Sequence, residues 1–160
     1  MIDLSKFKKS NLYQKENFVL NFTWYLVNNF FLNTSIPGSK IRVFLLKLFG
    51  SKIGKNVYFK PKVNIKFPWK LEIDDNSWIG ENVWIDNISQ IKIGKNCCIS
   101  QGVYFCTGNH DFKKESFDLI SESIVVGDSV WIGAKSIIGP GSKILSESFL
   151  KLGTIYNKKN

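Results

Sequence analysis

From Ile53 onward an aliphatic residue followed by a small or acidic one opens unit after unit of six residues: Ile53-Gly54, Ile73-Asp74, Ile79-Gly80, Ile85-Asp86, Ile93-Gly94, Ile99-Ser100, Val126-Gly127, Ile132-Gly133 and Ile138-Gly139. The fifth place of the unit is often small or β-branched, as at Val57, Ser77, Val83, Ser89, Cys97, Val103, Val130, Ser136 and Ser142. One aliphatic in six matches neither the 3.6-residue period of a helix nor the two-residue period of an ordinary strand. The pattern predicts a short strand and a corner, repeated. Three units make an 18-residue triangular coil with its aliphatics inward, and the small residue after each aliphatic lets the backbone turn. Leu71-x-Ile73 and Ile91-x-Ile93 lie twenty residues apart, so the early coils carry a two-residue corner extension. Each inward Ile or Val contributes roughly 1.5–3 kcal/mol when buried. A lone coil cannot hide its faces, so nearly five coils stack into one core.

The same register calls for a further corner after the unit at Phe105, but Ile124-x-Val126 arrives thirteen residues late. Those residues leave the prism as a loop, about 107–123, and the loop holds His110, the only histidine in the chain. Loops held on a rigid scaffold are where chemistry is commonly placed. The segment ILSESFLKLG lacks several corner glycines, which predicts that the last coils are the least regular.

Residues 1–50 follow a different pattern from the β-helical 51–160. Phe18, Phe22, Tyr25, Asn29 and Leu32 fall near helical spacing, as do Ile41, Phe44, Leu45 and Leu48, with Pro37-Gly38 between them. Two helices are predicted. One reading has them cap the open end of the first coil, which would otherwise expose backbone edges and aliphatics. The other is peripheral attachment to an anionic membrane surface, since aromatics here neighbour Lys6, Lys8, Lys9, Lys40, Arg42 and Lys47. The run from Phe18 to Leu32 is cut by Asn21, Asn28 and Asn29, too short and too polar to cross a bilayer.

Composition narrows the function classes. With 44% hydrophobic and 22% charged residues in 160, the chain is one globular domain and not a disordered one. Its net charge is +9, yet Arg42 is the only arginine among 22 basic residues, which argues against a nucleic-acid partner that reads bases. Cys97, Cys98 and Cys106 form no CxxC pair, so neither a disulfide framework nor a metal site is suggested, in keeping with a reducing cytoplasm.

The stretches IGENVWI, IKIGKNCCISQGVYFCTGNHDF and VVGDSVWIGAKSIIGPG resemble the hexapeptide-repeat acyltransferases, and within them the sugar O-acetyltransferases of the colanic acid biosynthesis group, which share the LLKLFGSKIGKNV entry and the CTGNHDF loop. The resemblance implies a mainly β fold, a left-handed parallel β-helix with an N-terminal helical segment. It also implies a homotrimer with acetyl-CoA in the groove between neighbouring β-helices. The reaction would be acetyl transfer to a sugar hydroxyl in surface polysaccharide synthesis, with no metal.

On that resemblance His110 is the general base. A hydroxyl is a poor nucleophile until its proton is removed, and an imidazole, with a reference pKa of about 6.5, can take that proton near neutral pH. Transfer is then direct, with no acyl-enzyme. The other ring nitrogen needs a partner, for which Asp111, Glu115 and a backbone carbonyl are candidates. Asn109 and Asp111 are candidates for the acceptor. The resemblance places Ala134, in VWIGA, and Leu152, one coil on, against the pantetheine arm, with the Ala134 N–H steadying the oxyanion. Gly133 joins these cofactor candidates, Trp131 either walls the acetyl site or is an outward aromatic at a subunit contact, and Asn157 and Lys158 match a Thr-Lys pair at the CoA end. Relatives continue into a proline-bearing turn and a basic tail where this sequence ends at Asn160, an expectation that part of the CoA grip is missing. An aminosugar N-acetyltransferase is not separated by any residue. A non-catalytic scaffold would need neither loop nor histidine, and a metal-dependent lyase on the same fold would need three histidines.

Overall fold

The computed structural model describes residues 2–8 and 17–158. Among these, three five-stranded parallel sheets form the walls of a prism, each coil giving one short strand to each wall. Three inward ladders fill it: Ile53, Ile73, Ile93, Val126 and Ile144; Phe59, Ile79, Ile99, Ile132 and Leu150; Ile65, Ile85, Phe105, Ile138 and Tyr156. Almost all of these side chains are buried in one continuous core. The register is as the spacing predicts. Lys52 pairs with Glu72 and Trp78 with Cys98, twenty residues apart, whereas Val126 pairs with Ile144 and Ile132 with Leu150, eighteen apart. The extra residues lie at one corner, where the Asn87 side chain is buried. It accepts from Phe67 N at 3.0 Å and donates to Phe67 O at 2.7 Å.

The corners turn on different residues from those expected. Positive φ falls not on the residue after the inward aliphatic but two further on, at Asn56, Asn76, Asn82 and Asn96, with Ser129, Lys135 and Glu147 serving later coils. Asparagine tolerates the left-handed region better than most residues because its short amide can bond locally. The last coils are regular too: Phe149-Leu150 and Ile155-Tyr156 pair in register with the coil before, and Glu147 at φ +63° turns the chain without glycine.

Helix α1 (Phe18–Val27), capped by Asn17 accepting from Val19 N, runs into a π-helical turn, Asn28–Leu32; α2 (Ser39–Leu48) follows Gly38. The face turned inward is Trp24, Asn28 and Leu32, not Phe18, Phe22 and Tyr25, which are exposed. The open edge of the first coil selects it: Trp24 Nε1 donates to Ile65 O at 2.8 Å, and Asn28 accepts from Ile65 N while donating to Asn64 Oδ1. On α2, Arg42 (1% exposed) and Leu46 face in while Ile41, Phe44 and Leu48 face out. The Arg42 guanidinium donates to the carbonyls of Ile36, Thr34 and Leu32, tying the end of the first helix to the second. The helices therefore satisfy backbone groups that the first coil would leave bare.

The three outer walls differ in chemistry. The first presents Lys52, Glu72, Lys92, Val125 and Lys143, where Glu72 sits 2.7 Å from Lys52 and 3.2 Å from Lys92. The hydrogen bond from Lys52, with help from Lys92, holds the Glu72 carboxyl below the usual carboxylate range. The second wall carries Tyr58, Trp78, Cys98, Trp131 and Phe149, and the third Asn64, Trp84, Tyr104, Ile137 and Ile155. One wall is made for water and two are largely aromatic or aliphatic.

Candidate active site

The chain leaves the third wall at Thr107 and returns at Glu122, and Thr107 staples both ends. Its hydroxyl donates to Asp86 O and accepts from Ser89 N, and its carbonyl accepts from Glu122 N at 3.0 Å. What the sequence predicts as a loop is a hairpin: strands Gly108–His110 and Leu119–Ser121 pair antiparallel, with His110 opposite Leu119. At its tip Asp111 accepts from Lys113 N, and Lys114 bridges Asp118 at 3.0 Å. That lysine, with Ser116, holds the Asp118 carboxyl below the ordinary range.

This tip fixes His110. Its Nδ1 lies 2.8 Å from Phe117 O, and since a carbonyl can only accept, the proton of the neutral ring is on Nδ1 and Nε2 keeps its lone pair. Of the three partners open at the sequence level, the backbone carbonyl is the one in place. The Asp111 carboxylate is turned to its own loop. The Glu115 carboxylate pairs with Lys6 at 2.7 Å, while its carbonyl accepts from Asp3 N. The imidazole is also stacked on the Phe117 ring, 4.3 Å between centroids and 3° from parallel, with Phe7 against it at 5.7 Å. Phe117 holds φ +49°, unusual for an aromatic residue, and that twist aims its carbonyl back at the ring. Sequence reasoning missed Phe7 and Phe117 because neither belongs to a motif, and Phe7 lies over a hundred residues away.

Strand alternation puts Asn109 on the opposite face of the hairpin from His110. There it lines a cleft of about 440 Å³ with Ser121, Glu122, Ile137, Pro140, Tyr156, Asn157 and Lys158. Lys158 is ion-paired to Glu122 at 2.7 Å. Three of the residues singled out in the sequence, Asn109, Asn157 and Lys158, are thus brought together at the corner where the third wall meets the first. Trp131, Gly133, Ala134 and Leu152 are not with them. Trp131 stands on the second wall, and Gly133, Ala134 and Leu152 follow its strands at the other edge of the third wall, where the second and third sheets meet. Trp131 is half exposed, donates to Ser100 Oγ and packs 4.6 Å from Phe149. Gly133 is buried under the next coil, its N–H given to Leu150 O. The Ala134 carbonyl accepts from Gly153 N, and its own N–H is engaged by no hydrogen bond among the described residues.

A second cleft, about 420 Å³, runs between α1 with its π-helical turn and the third wall, lined by Asn21, Tyr25, Asn28, Asn29, Asn64, Lys66, Trp84 and Asp86 among others. Amides, a carboxylate and an indole line it, a surface that can bind hydroxyl groups. Tyr104 donates to Asp86 at 3.3 Å, and burial, with Cys106 and Asp86 beside it, pushes its phenol above the usual range, so it stays a neutral donor. These residues come from four stretches of chain, and no motif announces them. Among the described residues no group of three or more His, Cys, Asp or Glu side chains is placed to hold a metal ion.

No protein-family model matches the chain. The Escherichia coli (strain K12) protein named as the colanic acid biosynthesis acetyltransferase WcaF is 43% identical over 103 residues, 64% of this chain and 57% of that protein. The chain spans little more than half the length of the curated relatives it matches. Among solved structures, a galactoside acetyltransferase in complex with coenzyme A superposes with a TM-score of 0.75 at 25% identity, over 86% of this chain and 70% of that one. A hexapeptide-repeat acetyltransferase from Vibrio cholerae superposes with a TM-score of 0.72 at 18% identity, over 91% and 90%. The chain therefore has the hexapeptide-repeat β-helix fold of these acetyltransferases and is similar in sequence to the colanic acid and galactoside members among them.

Proposed function

We infer that the protein transfers the acetyl group of acetyl-CoA to a hydroxyl of a sugar, in the assembly of a surface polysaccharide, with His110 as general base. The observation that carries this reading is the fixed imidazole. Nδ1–H is committed to Phe117 O, so Nε2 is free to accept a proton, and the ring is stacked on Phe117 with Phe7 tilted against it. As Nε2 takes the hydroxyl proton, the oxygen attacks the thioester carbonyl carbon. The developing oxyanion meets the free N–H of Ala134, the C–S bond breaks, and the proton passes from His110 to the leaving thiolate. The likeness to an acetyltransferase named for colanic acid synthesis and to a galactoside acetyltransferase supports sugar as the acceptor. Acetyl-CoA turnover against a panel of free, nucleotide-linked and lipid-linked sugars tests it. Turnover with none of them, or only with an aminosugar amine, overturns the hydroxyl reading.

The separation of Ala134 from His110 by the width of a wall has a consequence: one copy does not assemble both halves of the site. We take the working unit to be a trimer in which the aromatic second wall and the aliphatic third wall, with Trp78, Trp84 and Trp131, are covered by neighbours. The hairpin edge of one copy then meets the Ala134 edge of the next. Light scattering at micromolar concentration is expected to give three times the chain mass, and a fully active monomer would overturn both the assembly and the shared site. On this reading Lys158 meets the phosphates of CoA. Lys158→Ala is expected to raise the Michaelis constant for acetyl-CoA about threefold to tenfold with the turnover number nearly unchanged, the signature of lost uniform binding. Unchanged affinity by titration calorimetry would leave Lys158 as the partner of Glu122 alone.

A further inference from the structure

The net charge of the chain is confined to one end of the prism. Residues 17–71, which form the helices and the first coil, contain nine basic residues and no Asp or Glu, while the other 13 basic residues are balanced by all 13 acidic ones. Lys52, Lys62 and Lys66 reach down to Glu72, Glu81 and Asp86 of the next coil, but Lys40, Lys47 and Lys60 have no carboxylate within ion-pair distance among the described residues. The same end carries an apolar surface that capping does not explain. The inward sides of the helices are fully used by Trp24, Asn28, Leu32, Arg42 and Leu46. The outward sides nevertheless carry Phe18 at 79% exposure and Phe44 at 63%, with Phe22, Ile41 and Leu48 also exposed. On α2 the outward stripe Ile41-Phe44-Leu48 is flanked along one side by Lys40 and Lys47, the arrangement of a helix that lies in a membrane interface with its cations among the headgroups. Beside it, between α2 and the first coil, a groove of about 760 Å³ is lined by Lys40, Lys47 and Lys55 together with Val43, Val57 and Tyr58.

We propose that this end of the protein docks on the surface of an anionic phospholipid bilayer, the outward faces of α1 and α2 entering the headgroup layer and the groove seating a lipid phosphate. Charge chooses this occupant over a second copy, because two such ends face to face would bring like charges together. The contact is in-plane: no helix among the described residues is long and apolar enough to cross a membrane. The inference is independent of the acetyl-transfer reading, and its test reads binding alone.

In that test the full chain is sedimented with vesicles of phosphatidylcholine alone and of phosphatidylcholine with an equal part of phosphatidylglycerol. Binding is expected to the second and not the first, and to weaken as salt is raised. Lys40→Glu combined with Lys47→Glu is expected to lower the affinity at least about tenfold. Phe44→Glu is expected to do the same, with the unfolding temperature of each variant kept, since all three side chains are exposed. Absence of binding to the anionic vesicles, equal binding to both kinds, or undiminished binding by the variants would overturn the proposal. So would self-association without vesicles that Phe44→Glu abolishes, which would assign the face to a second copy.

Discussion

His110→Ala is expected to lower turnover by about 10²–10⁴, the usual cost of removing a positioned general base, while acetyl-CoA binds as before and the unfolding temperature hardly moves. The separation of these effects follows from where the residue sits. His110 lies on a hairpin outside the stacked coils, and its ring is stacked on Phe117 and touched by Phe7 but belongs to none of the three inward ladders. Its loss opens no cavity in the prism. Strand alternation turns the side chain away from the cleft that Asn109 shares with Asn157 and Lys158. A variant that is folded, binds acetyl-CoA and turns over at a near-native rate would show that the fixed imidazole is not the base. The aromatic contacts add a graded check: Phe7→Ala removes one of the two aromatic neighbours without touching the bond to Phe117 O. It should therefore cost turnover less than His110→Ala does.

The coils, their register and the point of interruption were legible because each rests on a pattern local to a unit: an inward aliphatic every six residues, displaced once by thirteen. The twenty-residue spacing survives intact in the pairing of Lys52 with Glu72 and Glu72 with Lys92. The helical faces were not legible. Phe18, Phe22 and Tyr25 look like a core stripe by spacing, but what turns inward is decided by which side chains can bond the bare edge of the first coil. Trp24 and Asn28 are the residues that make those bonds. The same limit hid the partner of His110. A backbone carbonyl carries no residue type to search for, and Phe117 presents its carbonyl through a φ of +49° that depends on the whole hairpin. The polar cleft at Asp86 and Trp84 is assembled from stretches that meet only after the helices fold back over the third wall.

Glycine shows most directly where pattern and physics part. Gly133 and Gly139 occupy the same place in their units, each following an inward Ile, and the sequence treats them alike. The coils above them do not. A Cβ on Gly133 would lie 2.5 Å from Leu152 N, 2.7 Å from Lys151 C and 2.8 Å from Leu150 O, all of them backbone atoms held in the next coil. A Cβ on Gly139 would come no nearer than 3.2 Å to Asn157 Cβ and 3.4 Å to Tyr156 O. What Gly133 supplies is thus clearance between stacked coils, since the turn is made two residues later at Lys135, φ +58°. Gly133→Ala must push rigid backbone apart, an overpacking cost of about 2–3 kcal/mol, and the unfolding temperature should fall by roughly 4–12 °C in a chain of this size. Gly139→Ala needs only a small movement of Asn157 and should shift it by about 2 °C or less. Differential scanning calorimetry of the pair decides the matter. Equal shifts would mean that the coils slide freely enough to absorb a methyl group, and that the tight approach at Gly133 is not what requires glycine there.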